Sequence, residues 1–214
     1  VNKNTLIPRP ETEELVEWVI KEVTELQSNN VAKLDTDVIS TKNEEKTLSI
    51  LDIGTGTGCI PISLAKNLND VKISAIDVSS EALKVAQQNA TLNNVDISFL
   101  EMDILETKEL PQQYNLIVSN PPYVRELEKV EISNNVLKSE PHLALFVEDD
   151  NPLIFYSKIA DLAKNHLKED GLLFFEINQY LGKETVAMLK QKGFNTIKLK
   201  KDLFGNDRMI KAIL

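Results

Sequence analysis

The stretch Leu48-Ser49-Ile50-Leu51-Asp52-Ile53-Gly54-Thr55-Gly56-Thr57-Gly58 decides the fold. Its first half is a short apolar run of strand length, its second a turn punctuated by three glycines, and a helical pattern begins at about Cys59. A strand, a glycine turn and a helix in that order open a parallel α/β unit. The pattern then repeats: helix 59–68, strand 71–77, helix 80–92, strand 96–101, strand 114–119, helix 152–167, strand 171–177 and helix 183–192. This alternation predicts an α/β fold, a parallel sheet with helices on both faces. Strands 194–200 and 209–214 follow with no helix between them. Gly205-Asn206 supplies a tight turn there, so an antiparallel hairpin at the carboxyl end completes a mostly parallel, seven-stranded sheet.

Ahead of that region, Leu15, Val16, Val19, Ile20, Val23 and Leu26 recur with helical spacing behind Pro8-Arg9-Pro10, with Glu11, Glu13 and Glu14 near the end where the helix dipole favours acids. The expected organisation is an opening strand and amphipathic helix over 1–30, a polar surface connection over 31–46, and the main domain over 47–214. The segment 1–7 reads as the second half of a strand or hairpin, and the start at Val1 suggests that something precedes it.

With 214 residues and 42% hydrophobic content, the chain has enough for one two-sided core. A single cysteine, Cys59, rules out a disulfide framework within the chain, and no run approaches the ~18 apolar residues of a membrane span. No secretory signal is visible, so a cytoplasmic, membrane-free protein, active as a monomer, is expected. The formal charge of −9 weighs against a surface that grips nucleic-acid phosphates and favours a protein or small-molecule partner.

Glycines permit positive φ and leave no Cβ in a ligand's way. The spacing over Gly54, Gly56 and Gly58 is one residue short of the dinucleotide fingerprint, and no Gly-Lys-Ser/Thr follows to cradle a triphosphate. The better ligand carries a ribose without phosphate, S-adenosylmethionine, with Gly54, Thr55, Gly56, Thr57 and Gly58 as its cradle. Asp77 ends the second strand 19 residues beyond Gly58, close to the ~20 expected of a ribose-binding acid. Asp103 is placed for the adenine amino group, with Ile104 against the ring. Taken singly, a glycine turn is often structural and an Asp after a strand is more often a helix cap; their joint spacing favours the cofactor.

Asn120-Pro121-Pro122-Tyr123 ends the strand 114–119. Such dipeptides are ordinary turn formers, but in an open α/β sheet ligands sit beyond the carboxyl ends of strands where strand order reverses, which puts this loop beside the glycine loop. An amide nitrogen is a poor nucleophile because its lone pair is delocalised into the carbonyl. The Asn120 side-chain oxygen and the Pro121 carbonyl would accept its two N–H bonds and favour the charge that develops on attack. Pro121 and Pro122 stiffen the loop, Tyr123 would lie against the amide plane, and Asn120 also borders the cofactor. The pairing predicts methyl transfer to nitrogen.

Other residues read more blandly. Cys59 is a small residue at a helix start, and His142 and His166 show no metal spacing, so no metal is expected. Arg9 either shapes the crevice or is a surface arginine, and Glu176 reads as a turn cap sooner than a pocket residue.

With these motifs in place the chain resembles the HemK/PrmC-type release-factor glutamine methyltransferases, in their bacterial form and without the amino-terminal helical domain. The resemblance is carried by Leu6-Ile7-Pro8-Arg9-Pro10-Glu11-Thr12-Glu13, by Asn120-Pro121-Pro122-Tyr123-Val124 and by Lys201-Asp202-Leu203-Phe204-Gly205-Asn206-Asp207-Arg208. It implies a Rossmann-like class I S-adenosylmethionine-dependent methyltransferase fold. It also implies methylation of the glutamine side-chain amide in the Gly-Gly-Gln loop of peptide chain release factors. Phe146-Val147-Glu148-Asp149-Asp150-Asn151 replaces the family's glycine-rich continuation after Glu140-Pro141-His142-Leu143-Ala144-Leu145, and the 29–46 stretch is longer than typical. Two rival readings stand beside this one: an amino methyltransferase acting on adenine or guanine in DNA or RNA, which would need a flipping pocket and a basic track, and an inactive cofactor-binding scaffold.

Overall fold

A computed structural model of the chain describes residues 5–34, 47–131 and 141–214. Seven strands form one sheet: β1 Leu48–Ile53, β2 Val71–Asp77, β3 Ser98–Glu101, β4 Tyr114–Ser119, β7 Leu167–Glu176, β8 Thr196–Lys201 and β9 Asp207–Ile213. Their order is β3-β2-β1-β4-β7-β9-β8, parallel except for β9, which runs antiparallel to both neighbours. The expected mostly parallel sheet with a terminal antiparallel hairpin is therefore the observed one. The chain builds outward from β1 to β3 and then returns to lay β4 beside β1, so strand order reverses between β1 and β4. A crevice opens at such a point because the loops leaving the two strands diverge to opposite faces.

Burial on both faces explains the near-continuous apolar strands. Ile50, Leu116 and Phe174 face one core with α1 (Pro10–Leu34) and α2 (Cys59–Asn67). Their neighbours Leu51, Ile117 and Phe175 face the other, under α4 (Ile154–His166) and α5 (Gly182–Gln191). Each such side chain contributes roughly 1.5–3 kcal/mol by leaving water. The remaining helix, α3 (Ser80–Leu92), is capped by Ser79, whose side chain accepts from Ala82 N. Along α1, Leu15, Val19 and Val23 are buried, and Trp18 meets Phe174 of β7 edge-on at 5.3 Å between centroids. That contact seats the first helix on the strand carrying Glu176.

Several boundaries differ from the sequence reading. Helix α1 continues past Leu26 to Leu34, into the stretch read as connection; residues 35–46, the opening residues 1–4 and Glu140 lie outside the described residues. Strand β7 starts at Leu167, where the sequence reads the end of a helix, and its register against β4 shifts between Tyr114 and Leu116. Two short strands lie outside the pattern read from the sequence. Val124–Arg125 (β5) pairs in parallel with Phe146–Val147 (β6), so the start of the unusual 146–151 segment is bonded to the residues just after the Asn-Pro-Pro-Tyr loop. Among the described residues, no helix is long and apolar enough to cross a membrane.

Candidate active site

Strand β1 ends at Ile53 and the chain turns sharply, with φ of 76° at Gly54, 55° at Gly56 and 79° at Gly58. These are left-handed conformations that a side chain disfavours. Gly54 N and Thr55 N both donate to Ile76 O, at 2.9 and 3.0 Å, tying the turn to the end of β2. The three glycines then diverge in use. A Cβ on Gly56 would meet nothing within 4 Å, so its backbone is open to the crevice. A Cβ on Gly58 would stand 3.1 Å from Ala86 Cβ and 3.2 Å from Ile62 Cδ1, so that glycine permits close approach of α2 to α3.

A cavity of about 290 Å³ lies at the carboxyl ends of β1, β2 and β4. Gly54, Thr55, Gly56, Thr57, Asp77, Asp103 and Ile104 line it from one side and Asn120, Pro121, Pro122 and Tyr123 from the other, while Gly58 does not reach it. Asp77 Oδ2 accepts from Gly56 N at 2.8 Å and Oδ1 from Ser79 N at 2.9 Å. A carboxylate has about four acceptor sites, so lone pairs remain for a ligand's hydroxyls. Asp103 is exposed and its Oδ1 accepts from Leu105 N at 2.9 Å, while Ile104 is buried beside it.

The two loops are held together from beneath: Ser119, the last residue of β4, donates through Oγ to Ile53 O at 2.7 Å. A Cβ on Gly54 would stand 3.9 Å from Asn120 O. Under the glycine turn, Asp52 is fully buried beside the Thr55 hydroxyl, which opposes the rise of its pKa by hydrogen bonding without fully satisfying it. Burial, with Asp77's charge adding to it, pushes the Asp52 carboxyl up to about 7.

Glu176 is corrected from turn cap to pocket residue. It closes β7, is 1% exposed, and lines the cavity. Its Oε2 accepts from Thr12 Oγ1 at 2.7 Å and its Oε1 from Tyr123 OH at 2.9 Å. Thr12 Oγ1 in turn accepts from Asn120 Nδ2 at 3.2 Å. Tyr123 is also held at its backbone, where Asn178 Nδ2 donates to its carbonyl at 2.9 Å. Burial raises the Tyr123 phenol well above its ordinary value, with Glu176's charge acting the same way, so it stays a donor. Thr12 is a site residue that the sequence analysis does not single out; its signal is its place in the Pro8–Glu13 motif. For Glu176 it is an acid closing a run of buried apolar residues, Leu172 to Phe175.

Arg9 lines the cavity and donates to Ile7 O at 3.1 Å. Cys59 opens α2 at the edge of the cavity, and burial pushes its thiol up to about 11. His166 accepts from Leu110 N at 3.0 Å, and among the described residues no group of His, Cys, Asp and Glu is arranged to hold a metal.

Residues 32–144 match the family model described as the methyltransferase small domain. The release factor glutamine methyltransferase of Flavobacterium psychrophilum is 59% identical over 212 residues, covering 99% of this chain and 69% of that protein. The protein of the same name from Bacteroides thetaiotaomicron is 41% identical over 213 residues, covering 99% and 69%. Among solved structures, the hMettl16 catalytic domain in complex with the MAT2A 3'UTR hairpin 6 superposes with a TM-score of 0.70 at 17% identity, covering 100% of this chain and 74% of that one. The ribosomal protein L11 methylase of Lactobacillus delbrueckii gives 0.59 at 20% identity, covering 96% and 78%. The structural likenesses speak for the fold; the sequence identities, sustained over nearly the whole chain, speak for descent. The chain belongs to the release factor glutamine methyltransferase family.

Proposed function

We propose that the protein transfers a methyl group from S-adenosylmethionine to the side-chain amide nitrogen of the glutamine in the Gly-Gly-Gln loop of peptide chain release factors, modulating translation termination. The observation that carries this reading is the meeting of the glycine loop and the Asn-Pro-Pro-Tyr loop on one cavity, 3.9 Å apart at Gly54 and Asn120 O as measured from a Cβ position.

The donor side fits this cofactor. Gly56 leaves space where a Cβ would stand, Asp77 keeps lone pairs for two ribose hydroxyls, and Asp103 with Ile104 borders the place of the adenine. S-adenosylmethionine supplies, when bound, a methyl group on a positively charged sulfur that a weak nucleophile can attack.

On the acceptor side, the Asn120 Oδ1 and the Pro121 carbonyl receive the two N–H bonds of the glutamine amide. Both acceptors are fixed before the substrate arrives, so they stabilise positive charge as it develops on nitrogen without reorganising. With the cofactor bound, its S–C bond would break as the N–C bond formed, and the nitrogen, acidic once methylated and charged, would lose a proton to solvent or a weak acceptor. No strong base is needed.

Transfer of labelled methyl to a purified release factor, with duplex DNA and ribosomal RNA competing, tests the reading. Label should enter the release factor and vanish when its loop glutamine is replaced by alanine. Label in nucleic acid instead would overturn it.

A further inference from the structure

We propose that Glu176, acting through Thr12, sets which end of the Asn120 side chain faces the substrate amide, which makes Thr12 and Glu176 positioning residues for the transfer. The inference rests on the methyl-transfer reading, but the bonds that carry it come from this chain alone.

An ionised carboxylate only accepts hydrogen bonds. The hydroxyls of Thr12 and Tyr123 therefore both direct their protons at Glu176, over 2.7 and 2.9 Å. With its proton committed, the Thr12 oxygen offers Asn120 nothing but lone pairs. Only the Asn120 amide nitrogen can face it, at 3.2 Å, and Oδ1 is left as the atom available to a ligand in the cavity. A rotated amide would set Oδ1 against the Thr12 lone pairs and turn N–H donors toward the N–H donors of a glutamine. The direction of the chain Asn120 to Thr12 to Glu176 thus follows from the one group that cannot donate.

Its components are rigidly placed. Thr12 is 5% exposed in the first turn of α1 and Glu176 sits at the end of a central strand, so the amide is held by a helix residue that is itself held by a strand residue, both far from it in sequence. Both lie outside residues 32–144, which carry the glycine loop, Asp77 and Asn120. The methyltransferase module thus brings the asparagine, and the flanking elements aim it.

The arrangement is also sensitive to protons. Burial raises the Glu176 carboxyl above the ordinary glutamate value, against the hydrogen bonds from Thr12 and Tyr123 and the charge of Arg208 on β9, while Glu11 on α1 raises it further. Tyr156 on α4 donates to the Glu176 backbone carbonyl, and the Cys59 thiol on α2 also lies within reach of its charge. Once protonated, Glu176 can donate to Thr12, freeing the Thr12 proton for Asn120 Oδ1 and removing the preference for one amide orientation. Turnover should therefore fall with decreasing pH through a step above the ordinary glutamate range.

Three substitutions test the relay with a release factor as acceptor: Thr12→Val, which keeps the shape and removes the hydroxyl, Thr12→Ser, which keeps the hydroxyl, and Glu176→Gln. Thr12→Val and Glu176→Gln are expected to lower kcat about ten- to a hundredfold, the cost of a misaimed reacting group, with cofactor Kd and the KM for release factor little changed. Thr12→Ser should recover most of the turnover, and Glu176→Gln should lose the acid step in the pH profile. In nitrogen-15 NMR spectra, one proton of the Asn120 side-chain amide should carry the chemical shift of its hydrogen bond to Thr12 in the wild type and lose it in Thr12→Val and Glu176→Gln. A folded Thr12→Val with wild-type turnover, a Thr12→Ser as impaired as Thr12→Val, or an unchanged Asn120 amide signal in Glu176→Gln overturns the relay. If the wild type moves no methyl group to the release factor, the functional reading fails instead, and the amide signal still decides the relay.

Discussion

The two walls of the crevice are made differently. The donor wall is local and largely backbone: a glycine turn over 54–58 held by the end of β2 and by Asp77, which is bonded back to Gly56 N. The acceptor wall is assembled from side chains remote in sequence, with Thr12 and Glu176 separated by 164 positions and Asn120 and Tyr123 between them. A backbone wall tolerates many side chains but not a change of φ. A side-chain wall fails on the loss of one polar atom, because the buried partner left behind loses its hydrogen bond.

The largest expected effect breaks the acceptor wall at its centre. Asn120→Ala should lower turnover about two to three orders of magnitude, comparable to losing one preorganised donor in an oxyanion hole, while cofactor affinity stays near normal. Stopped or single-turnover kinetics with a release factor would reveal it; near-normal rates would remove Asn120 from the chemistry.

Next is the acid under the donor wall. A carboxyl with a raised folded pKa binds more protons folded than unfolded between its two values, so its contribution to stability falls as pH rises through that window. For Asp52 the window runs from about 4 to about 7 and amounts to on the order of 4 kcal/mol. Asp52→Asn should erase that part of the slope of unfolding free energy against pH in urea titrations. Parallel slopes for the two proteins would mean the carboxyl is solvated or paired.

The side-chain element of the donor wall comes third. Asp77→Ala should weaken S-adenosylmethionine binding by roughly 1.5–3 kcal/mol in calorimetry, with the fold retained, as expected for charged hydrogen bonds. Unchanged affinity would leave the donor wall wholly backbone in its energetics.

The smallest effect sharpens the contrast within the glycine turn. Gly56→Ala costs only the left-handed strain of about 1–2 kcal/mol, since its Cβ meets nothing, whereas Gly58→Ala adds contacts of 3.1 and 3.2 Å to Ala86 and Ile62 and should lower Tm further. Conversely, Gly56→Ala should be the one that weakens the cofactor. Equal effects on both readouts would erase the division of labour between ligand cradle and helix packing.

What the sequence determined by itself is what short-range patterns carry. Alternation of apolar runs with helical periods specified the sheet, the terminal hairpin followed from strands without an intervening helix, and glycines at 54, 56 and 58 marked the turn because only they take positive φ cheaply. The Asn120-Pro121-Pro122-Tyr123 loop was legible for the same reason, its position at the end of a strand. What only the tertiary structure decided is everything that depends on which elements lie side by side. A threonine in a helix's first turn and a glutamate at a strand end have unremarkable local environments, and nothing in periodicity says that packing Trp18 on Phe174 brings them within 2.7 Å. The pairing of β5 with β6, and the use of Gly58 for helix contact instead of ligand contact, were hidden likewise. Buried polar contacts between distant segments form because burial leaves their hydrogen bonds no partner but each other, and that condition exists only once the chain has folded.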